Sequence, residues 1–220
     1  FDSPIKKGLE NREKLSYNTP ISGNDLSEIG QVEDNKRVSV FSRKAGYHFG
    51  WDWAPRLVTS GIWKPVILKS WNNFKIDDVY IQQELKSDIA KLNAFVQISF
   101  DENYNEEEIY LEIKVTNDND YTSRKVVSLD QNKLSNIYEV SVEINNPKLW
   151  WPNGMGEQNL YNVEINLSDK ISQDSKSYKI GLRTIELVRD PDSIGESFYF
   201  KVNGHASFMK GVNYIPQDVF

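Results

Sequence analysis

In Ile137-Tyr138-Glu139-Val140-Ser141-Val142-Glu143-Ile144, apolar and polar residues alternate without a break from Tyr138 onward. Only an extended chain turns every second side chain to the same face, so this octapeptide reads as a strand with Tyr138, Val140, Val142 and Ile144 toward a core. Runs of the same kind lie on either side: Ile76 to Leu85, Leu92 to Phe100, Ile109 to Thr116 and Lys125 to Leu129 before it, Leu160 to Leu167 and Ser177 to Val188 after it. Turn chemistry separates them, as in Asn117-Asp118-Asn119-Asp120 and Asn145-Asn146-Pro147. No segment carries a 3.6-residue apolar stripe. Seven short strands in roughly 110 residues is the arithmetic of an immunoglobulin-like β-sandwich, and the fold class is expected to be all-β.

Residues 1 to 36 are rich in Pro, Gly, Asn, Ser and charge and read as an excursion between strands with little core of its own. From Arg37 onward, Val38, Val40, Tyr47, Phe49, Trp51 and Trp53 recur at period two, and Ile62, Val66, Ile67 and Leu68 come after the break at Pro55, so strands are expected in both stretches. Beyond Arg189-Asp190-Pro191, Asn203-Gly204 joins two apolar-rich runs. Both residues accept the positive φ of a type I′ turn, which predicts a hairpin. In Leu149-Trp150-Trp151-Pro152-Asn153-Gly154, the paired rings offer a sugar platform or a cover for one end of the sandwich; covering is the expected role.

With 220 residues, 39% hydrophobic, 12% aromatic and a net charge of -6, the chain can bury real cores in one large domain or two modest ones. The acidic balance and the lack of Lys/Arg clusters argue against nucleic acid. No apolar run approaches the ~20 residues of a membrane-spanning helix, so no membrane partner is expected. The start at Phe1-Asp2-Ser3-Pro4 has neither Met nor a signal core, which predicts that the chain begins inside something longer. Cysteine is absent, so disulfides and thiolate metal sites are excluded while the compartment stays open, since such a chain tolerates both redox environments: periplasm, lysosome, cytoplasm and extracellular space all fit. His48 and His205 alone are too few for a metal site.

Tyr47-His48-Phe49-Gly50-Trp51-Asp52-Trp53-Ala54-Pro55 is the stretch that points to chemistry. Aromatic faces suit the C–H side of a pyranose, and a carboxylate accepts from two vicinal hydroxyls. A plain reading competes with this. In a straight strand Tyr47, Phe49, Trp51 and Trp53 share one face and fill a core, and Asp52 points the other way. A glycine bend at Gly50 re-aims the residues after it, so both readings stay open on the residues alone. Arg56 has two structural roles open to it, pairing with Asp52 or covering a ring.

Taken together, Arg43 to Arg56, Thr59-Ser60-Gly61-Ile62-Trp63-Lys64-Pro65-Val66, Leu149-Trp150-Trp151-Pro152, Gly181-Leu182-Arg183-Thr184 and Phe200-Lys201-Val202-Asn203-Gly204 are similar to β-mannosidases of glycoside hydrolase family 2. The Gly-Trp-Asp-Trp element resembles the mannosidase branch specifically, and the later motifs are shared across the family. One departure is Ala54, where Gly is usual; were positive φ needed there, Ala would be disfavoured.

The resemblance implies an order of domains: residues 1–72 as the end of an N-terminal jelly-roll, 73–188 as the immunoglobulin-like sandwich, and 189–220 as the start of a truncated (β/α)₈ barrel. Such a barrel needs about 250 residues and would carry both catalytic glutamates, so no catalytic residue is assigned and the chain alone is expected to be inactive. Missing jelly-roll strands would leave the apolar edges around residues 38–68 without partners. What carries over is substrate binding by Trp51 and Asp52 at the terminal-sugar subsite, with Trp53 packing. The implied activity is that of a retaining exo-β-mannosidase acting on β-mannoside glycans without a cofactor. Two other functions stay open: a non-enzymatic carbohydrate-binding or interaction module, and a family 2 exo-glycosidase for another sugar, such as a β-galactosidase or exo-β-glucosaminidase. Oligomeric state is not readable.

Overall fold

The computed structural model describes residues 1–20, 22–26, 32–51, 54–104, 108–117, 122–130, 136–215 and 217. They divide into two units, Phe1–Leu68 with Gly211–Phe220, and Lys69–Lys210.

The second unit contains the sandwich. Its strands are β1 (Phe74–Lys86), β2 (Ile89–Phe100), β3 (Tyr110–Thr116), β4 (Thr122–Ser128), β5 (Ile137–Asn145), β6 (Tyr161–Ser168) and β7 (Gln173–Ile180). All pair antiparallel, in one sheet of order β1-β2-β5 and another of order β4-β3-β6-β7. The alternating octapeptide Ile137 to Ile144 lies in β5, and its pattern is kept: Tyr138, Val140, Val142 and Ile144 are buried. Facing them across the core are Leu111, Ile113 and Val115 of β3 and Tyr161, Val163, Ile165 and Leu167 of β6. Each large side chain removed from water in this way contributes on the order of 1.5–3 kcal/mol.

In β1 the alternation changes phase. A bulge between Ile76 and Asp78 leaves Asp77 unpaired, so Phe74 and Ile76 face the core before it and Val79 and Ile81 after it. The extra residue is fixed on both sides. Its carboxylate takes the Ser99 hydroxyl and the Lys75 ammonium (2.9 Å), and its carbonyl accepts from Lys176 Nζ at 2.6 Å.

The first six expected runs correspond to β1 through β6. The seventh, Ser177 to Val188, does not form a single strand: β7 ends at Ile180, and β8 (Ile185–Val188) belongs to a third sheet with β9 (Tyr199–Val202) and β10 (His205–Ser207), in the order β8-β9-β10. Gly181-Leu182-Arg183-Thr184 breaks the run because the backbone there closes on Trp150. A Cβ on Gly181 would sit 2.7 Å from Trp150 Cγ, and Trp150 N–H donates to the Leu182 carbonyl at 2.8 Å. Between β9 and β10, Asn203 (φ 50°) and Gly204 (φ 78°) form the expected two-residue hairpin turn, with Val202 opposite His205.

The Trp150-Trp151 pair packs. The Trp150 ring packs on Gly181 and has the Arg183 guanidinium 5.0 Å from its centroid, and the Trp151 ring lies on Gly156, with His205 edge-on at 5.2 Å. Asn203 ties this corner to the third sheet: Nδ2 donates to the Trp150 carbonyl and Oδ1 accepts from Thr184 N–H, both at 3.0 Å.

The first unit departs from the sequence expectations. Residues 4–13 form a helix, α1 (Pro4–Glu13), where an irregular excursion was expected. Its signals are local ones: Ser3 caps it, accepting from Lys6 N–H at 3.4 Å, and Pro4 occupies the first turn. The apolar stripe is weak because Gly8 makes the central contact. A Cβ there would lie 2.7 Å from Val38 Cβ, so the absence of a side chain is what lets the helix close on Val38. A short second helix, α2, covers Gly23–Leu26.

The strands expected from Val38 to Trp53 and from Ile62 to Leu68 are not formed among the described residues. Two 3₁₀ turns, Ser39–Phe41 and Gly46–Phe49, take the first stretch, and a third, Asp34–Lys36, precedes it. A strand satisfies its backbone only through a neighbour, and here the i→i+3 bonds of these turns satisfy it instead. Residues 61–70 carry no regular structure, and Trp63 (85%) and Leu68 (98%) are largely exposed.

Candidate functional site

Trp51 stands at the end of the Gly46–Phe49 turn. Phe49 points inward and is fully buried; Gly50 comes next at φ 127°, ψ 149°, a conformation that excludes a side chain; Trp51 then emerges 43% exposed. The two aromatics therefore do not share a face, and the shared-face packing reading is overturned for Trp51. The bend at Gly50 is what separates them. Trp51 and Ala54 exchange backbone hydrogen bonds, N–H to carbonyl, in both directions at 3.2 Å. Ala54 is buried and has no positive φ, so the departure from Gly at this position causes no strain. Asp52 and Trp53 lie outside the described residues.

Beneath this loop is a buried ion pair. Arg56 Nη1 meets Asp25 Oδ1 at 3.1 Å, with the two side chains 8% and 2% exposed. The same nitrogen donates to the Phe49 carbonyl at 2.7 Å, the guanidinium lies 5.4 Å from the Phe49 ring centroid, and Nη2 donates to the Lys36 carbonyl. Of the two roles open to Arg56, covering a ring is therefore realised. Asp25 Oδ2 accepts from both Ser39 N–H (3.1 Å) and Ser39 Oγ (2.7 Å), so the carboxylate is fully engaged. Next to it, Asn24 Nδ2 donates to the Gly50 carbonyl at 3.0 Å.

His48 belongs to the same Gly46–Phe49 turn, its ring 4.5 Å from that of Tyr47. Burial pushes its pKa down and Lys44 adds to this, while a hydrogen bond with the Leu57 backbone works the other way. Its Nδ1 is buried with no partner among the described residues. Burial thus favours the neutral imidazole.

A cleft of about 690 Å³ opens in the same unit, lined among others by Arg12, Tyr17, Asp25, Asp34, Arg37 and Phe41. Trp51 does not line it. Among the described residues, no group of three or more His, Asp or Glu side chains gathers as a metal site would require. Asn24, Asp25 and Ser39 were not legible as partners of the Trp51 loop. Asn24 and Asp25 fall in a segment read as an excursion and Ser39 in one read as a strand, and a pairing across 31 residues leaves no periodic signal.

The class of protein this defines is an all-β chain, with an immunoglobulin-like sandwich preceded by a unit that displays an exposed indole on a clamped turn. Residues 74–183 match the family described as glycosyl hydrolases family 2, and residues 1–64 match the glycosyl hydrolase 2 galactose-binding domain-like family. The chain belongs to glycosyl hydrolases family 2. It is 35% identical to β-mannosidase B of Aspergillus oryzae, over 99% of this chain and 24% of that protein. To β-mannosidase B of Emericella nidulans it is 34% identical, over 88% and 22%. Among solved structures, the β-D-mannosidase of Dictyoglomus thermophilum superposes with a TM-score of 0.80 at 34% identity, covering 98% of this chain and 25% of that one. The exo-chitosanase of Amycolatopsis orientalis shares the fold at a TM-score of 0.53 and 23% identity, over 74% of this chain and 19% of that one. The chain spans about a quarter of the length of the mannosidases it matches.

Proposed function

We propose that this chain is the non-catalytic N-terminal region of a retaining exo-β-mannosidase that hydrolyses terminal non-reducing β-D-mannose residues. The observation that carries the reading is the likeness to the Dictyoglomus thermophilum β-D-mannosidase over 98% of the chain. In this proposal residues 1–72 belong to a jelly-roll domain, 73–188 form the immunoglobulin-like sandwich, and 189–220 lead into a (β/α)₈ barrel. Two glutamates outside these 220 residues then do the chemistry. One attacks the anomeric carbon to give a glycosyl-enzyme; the other protonates the departing oxygen and afterwards activates water.

Trp51 and Asp52 are proposed as the substrate-binding residues. Trp51 forms a wall of the terminal-sugar subsite, and its partial exposure on a turn supports this, since a side chain that large is ordinarily buried. Asp52 accepts hydrogen bonds from mannose hydroxyls, a role that rests on the family resemblance. The glycan partner is a β-mannoside.

The test is to express the complete reading frame that contains this chain and assay it on aryl β-mannoside, β-galactoside and β-glucuronide. Hydrolysis of the mannoside is expected to dominate, and Trp51→Ala and Asp52→Ala are each expected to lower kcat/KM on it by on the order of 10- to 1,000-fold. Preference for another glycoside overturns the substrate; wild-type kinetics in both variants overturn the subsite. The 220-residue chain itself is expected to hydrolyse none of the three. Saturable mannose binding by it would favour a self-sufficient binding module instead.

A further inference from the structure

The hydrogen bonds around Asp25 and Arg56 end on the backbone immediately before Trp51. Arg56 holds the Phe49 carbonyl and Asn24 holds the Gly50 carbonyl, so the two peptide groups that set the direction of Trp51 are each fixed by a side chain. Arg56 also lies just past the loop, and its bond to residue 49 closes residues 50–55 into a staple. The staple is anchored in turn: Asp25 binds the guanidinium on one oxygen and Ser39 on the other, and the second guanidinium nitrogen reaches the Lys36 carbonyl.

We propose that Asn24, Asp25 and Arg56 are positioning residues that hold the Trp51 loop in its displayed conformation and so set the geometry of the terminal-sugar subsite. The inference rests on reading Trp51 as a wall of that subsite. Two physical points carry it. An indole that can fold back onto apolar neighbours such as Phe49 gains from doing so, and Trp51 stays exposed because its backbone is not free to turn. A buried ion pair is weak as a source of net stability, since an apolar pair of similar volume commonly does as well or better; fixing one local geometry is what it does well. The planar fork of Arg suits this task, because it serves Asp25, the Phe49 carbonyl and the Lys36 carbonyl at once, and the point charge of Lys does not.

The experiment labels the six tryptophans with 5-fluorotryptophan and tracks their ¹⁹F resonances in the 220-residue chain, with Trp51→Phe assigning the relevant one. Asn24→Ala, Asp25→Asn and Arg56→Lys are expected to shift or broaden the Trp51 resonance and leave those of Trp150 and Trp151 in place. In the complete enzyme the same variants are expected to raise KM for an aryl β-mannoside and lower kcat/KM on the order of 10- to 100-fold. Should either charge variant unfold the first unit, seen as a random-coil position for Trp51 together with loss of the helical circular dichroism of Pro4–Glu13, Asn24→Ala decides, because it leaves the ion pair intact. An unmoved Trp51 resonance in Asn24→Ala and in every folded charge variant overturns the proposal. So do kinetics within about twofold of wild type in these variants when Trp51→Ala is crippled. If the resonance moves but Trp51→Ala is itself fully active, the side-chain clamp on the loop stands and the subsite reading is what fails.

Discussion

Removing the side chain of Asn203 should loosen the corner between the sandwich and the β8-β9-β10 sheet by an amount the structure allows to be worked out. Asn203 makes two side-chain hydrogen bonds, Nδ2 to the Trp150 carbonyl and Oδ1 from Thr184 N–H, each 3.0 Å long. A hydrogen bond of this kind contributes about 1 kcal/mol net, so losing both costs about 2 kcal/mol. Asn203 also sits at φ 50°, where Asn is tolerated, Gly is unstrained and Ala is disfavoured by a further 1 kcal/mol or so. Asn203→Gly is therefore expected to destabilise by about 2 kcal/mol and Asn203→Ala by about 3 kcal/mol. Equilibrium urea unfolding of the 220-residue chain, monitored by tryptophan fluorescence and far-UV circular dichroism together, reads both. The order of the two variants is the sharper part. Equal losses would mean that the left-handed backbone is not what selects Asn here, and a Gly variant as stable as wild type would refute the clasp.

Gly181→Ala would place a Cβ 2.7 Å from Trp150 Cγ, and the Trp150 backbone is held by its bond to the Leu182 carbonyl; thermal unfolding should show a loss of about 1–3 kcal/mol. Ile165→Ala, at a fully buried position of β6, should cost about 2–5 kcal/mol, and a loss below about 1 kcal/mol would contradict its place in the core. Acid should weaken the sandwich through Asp77 and Asp169. Asp77 is lowered by the Ser99 hydroxyl and then by Lys75; for Asp169, burial pulls upward but is outweighed by Tyr104, the Ser172 and Ile171 amides and Asn73. Both carboxyls thus have folded pKa values below the unfolded one. Their contribution is complete above the unfolded Asp value of about 3.9 and is lost as pH falls through the folded values, so melting temperature should hold steady down to about pH 5 and then fall. Tyr104→Phe, which removes the 2.6 Å bond to Asp169, should make that acid decline shallower; an unchanged slope would count against it.

The likeness to mannosidases was legible because it is carried by short contiguous strings, and strings survive without knowledge of the fold. The clamp under Trp51 was not. The sequence suggested Asp52, four residues away, as a partner for Arg56; among the described residues its carboxylate partner is Asp25, 31 residues away in a stretch that had looked merely loop-like. The alternation from Val38 to Trp53 misled for a related reason. Period two predicts a strand only where a partner edge supplies hydrogen bonds, and in this unit the 3₁₀ turns and the side chains of Asn24 and Arg56 supply them.

By itself the sequence determined the sandwich: alternation in β1 to β6, turn residues between them and Asn203-Gly204 in the hairpin are local properties, and the pleat converts them directly into an inside and an outside. Tertiary structure alone decided where the regular pattern ends and where the candidate site begins. It split the run from Ser177 to Val188 at Gly181 because Trp150 needed the space, and it turned Trp51 away from Phe49 because a glycine bend and two side-chain clamps fix the backbone there. Close approach and buried pairing depend on distances across the fold, and those distances exist only once the chain has closed.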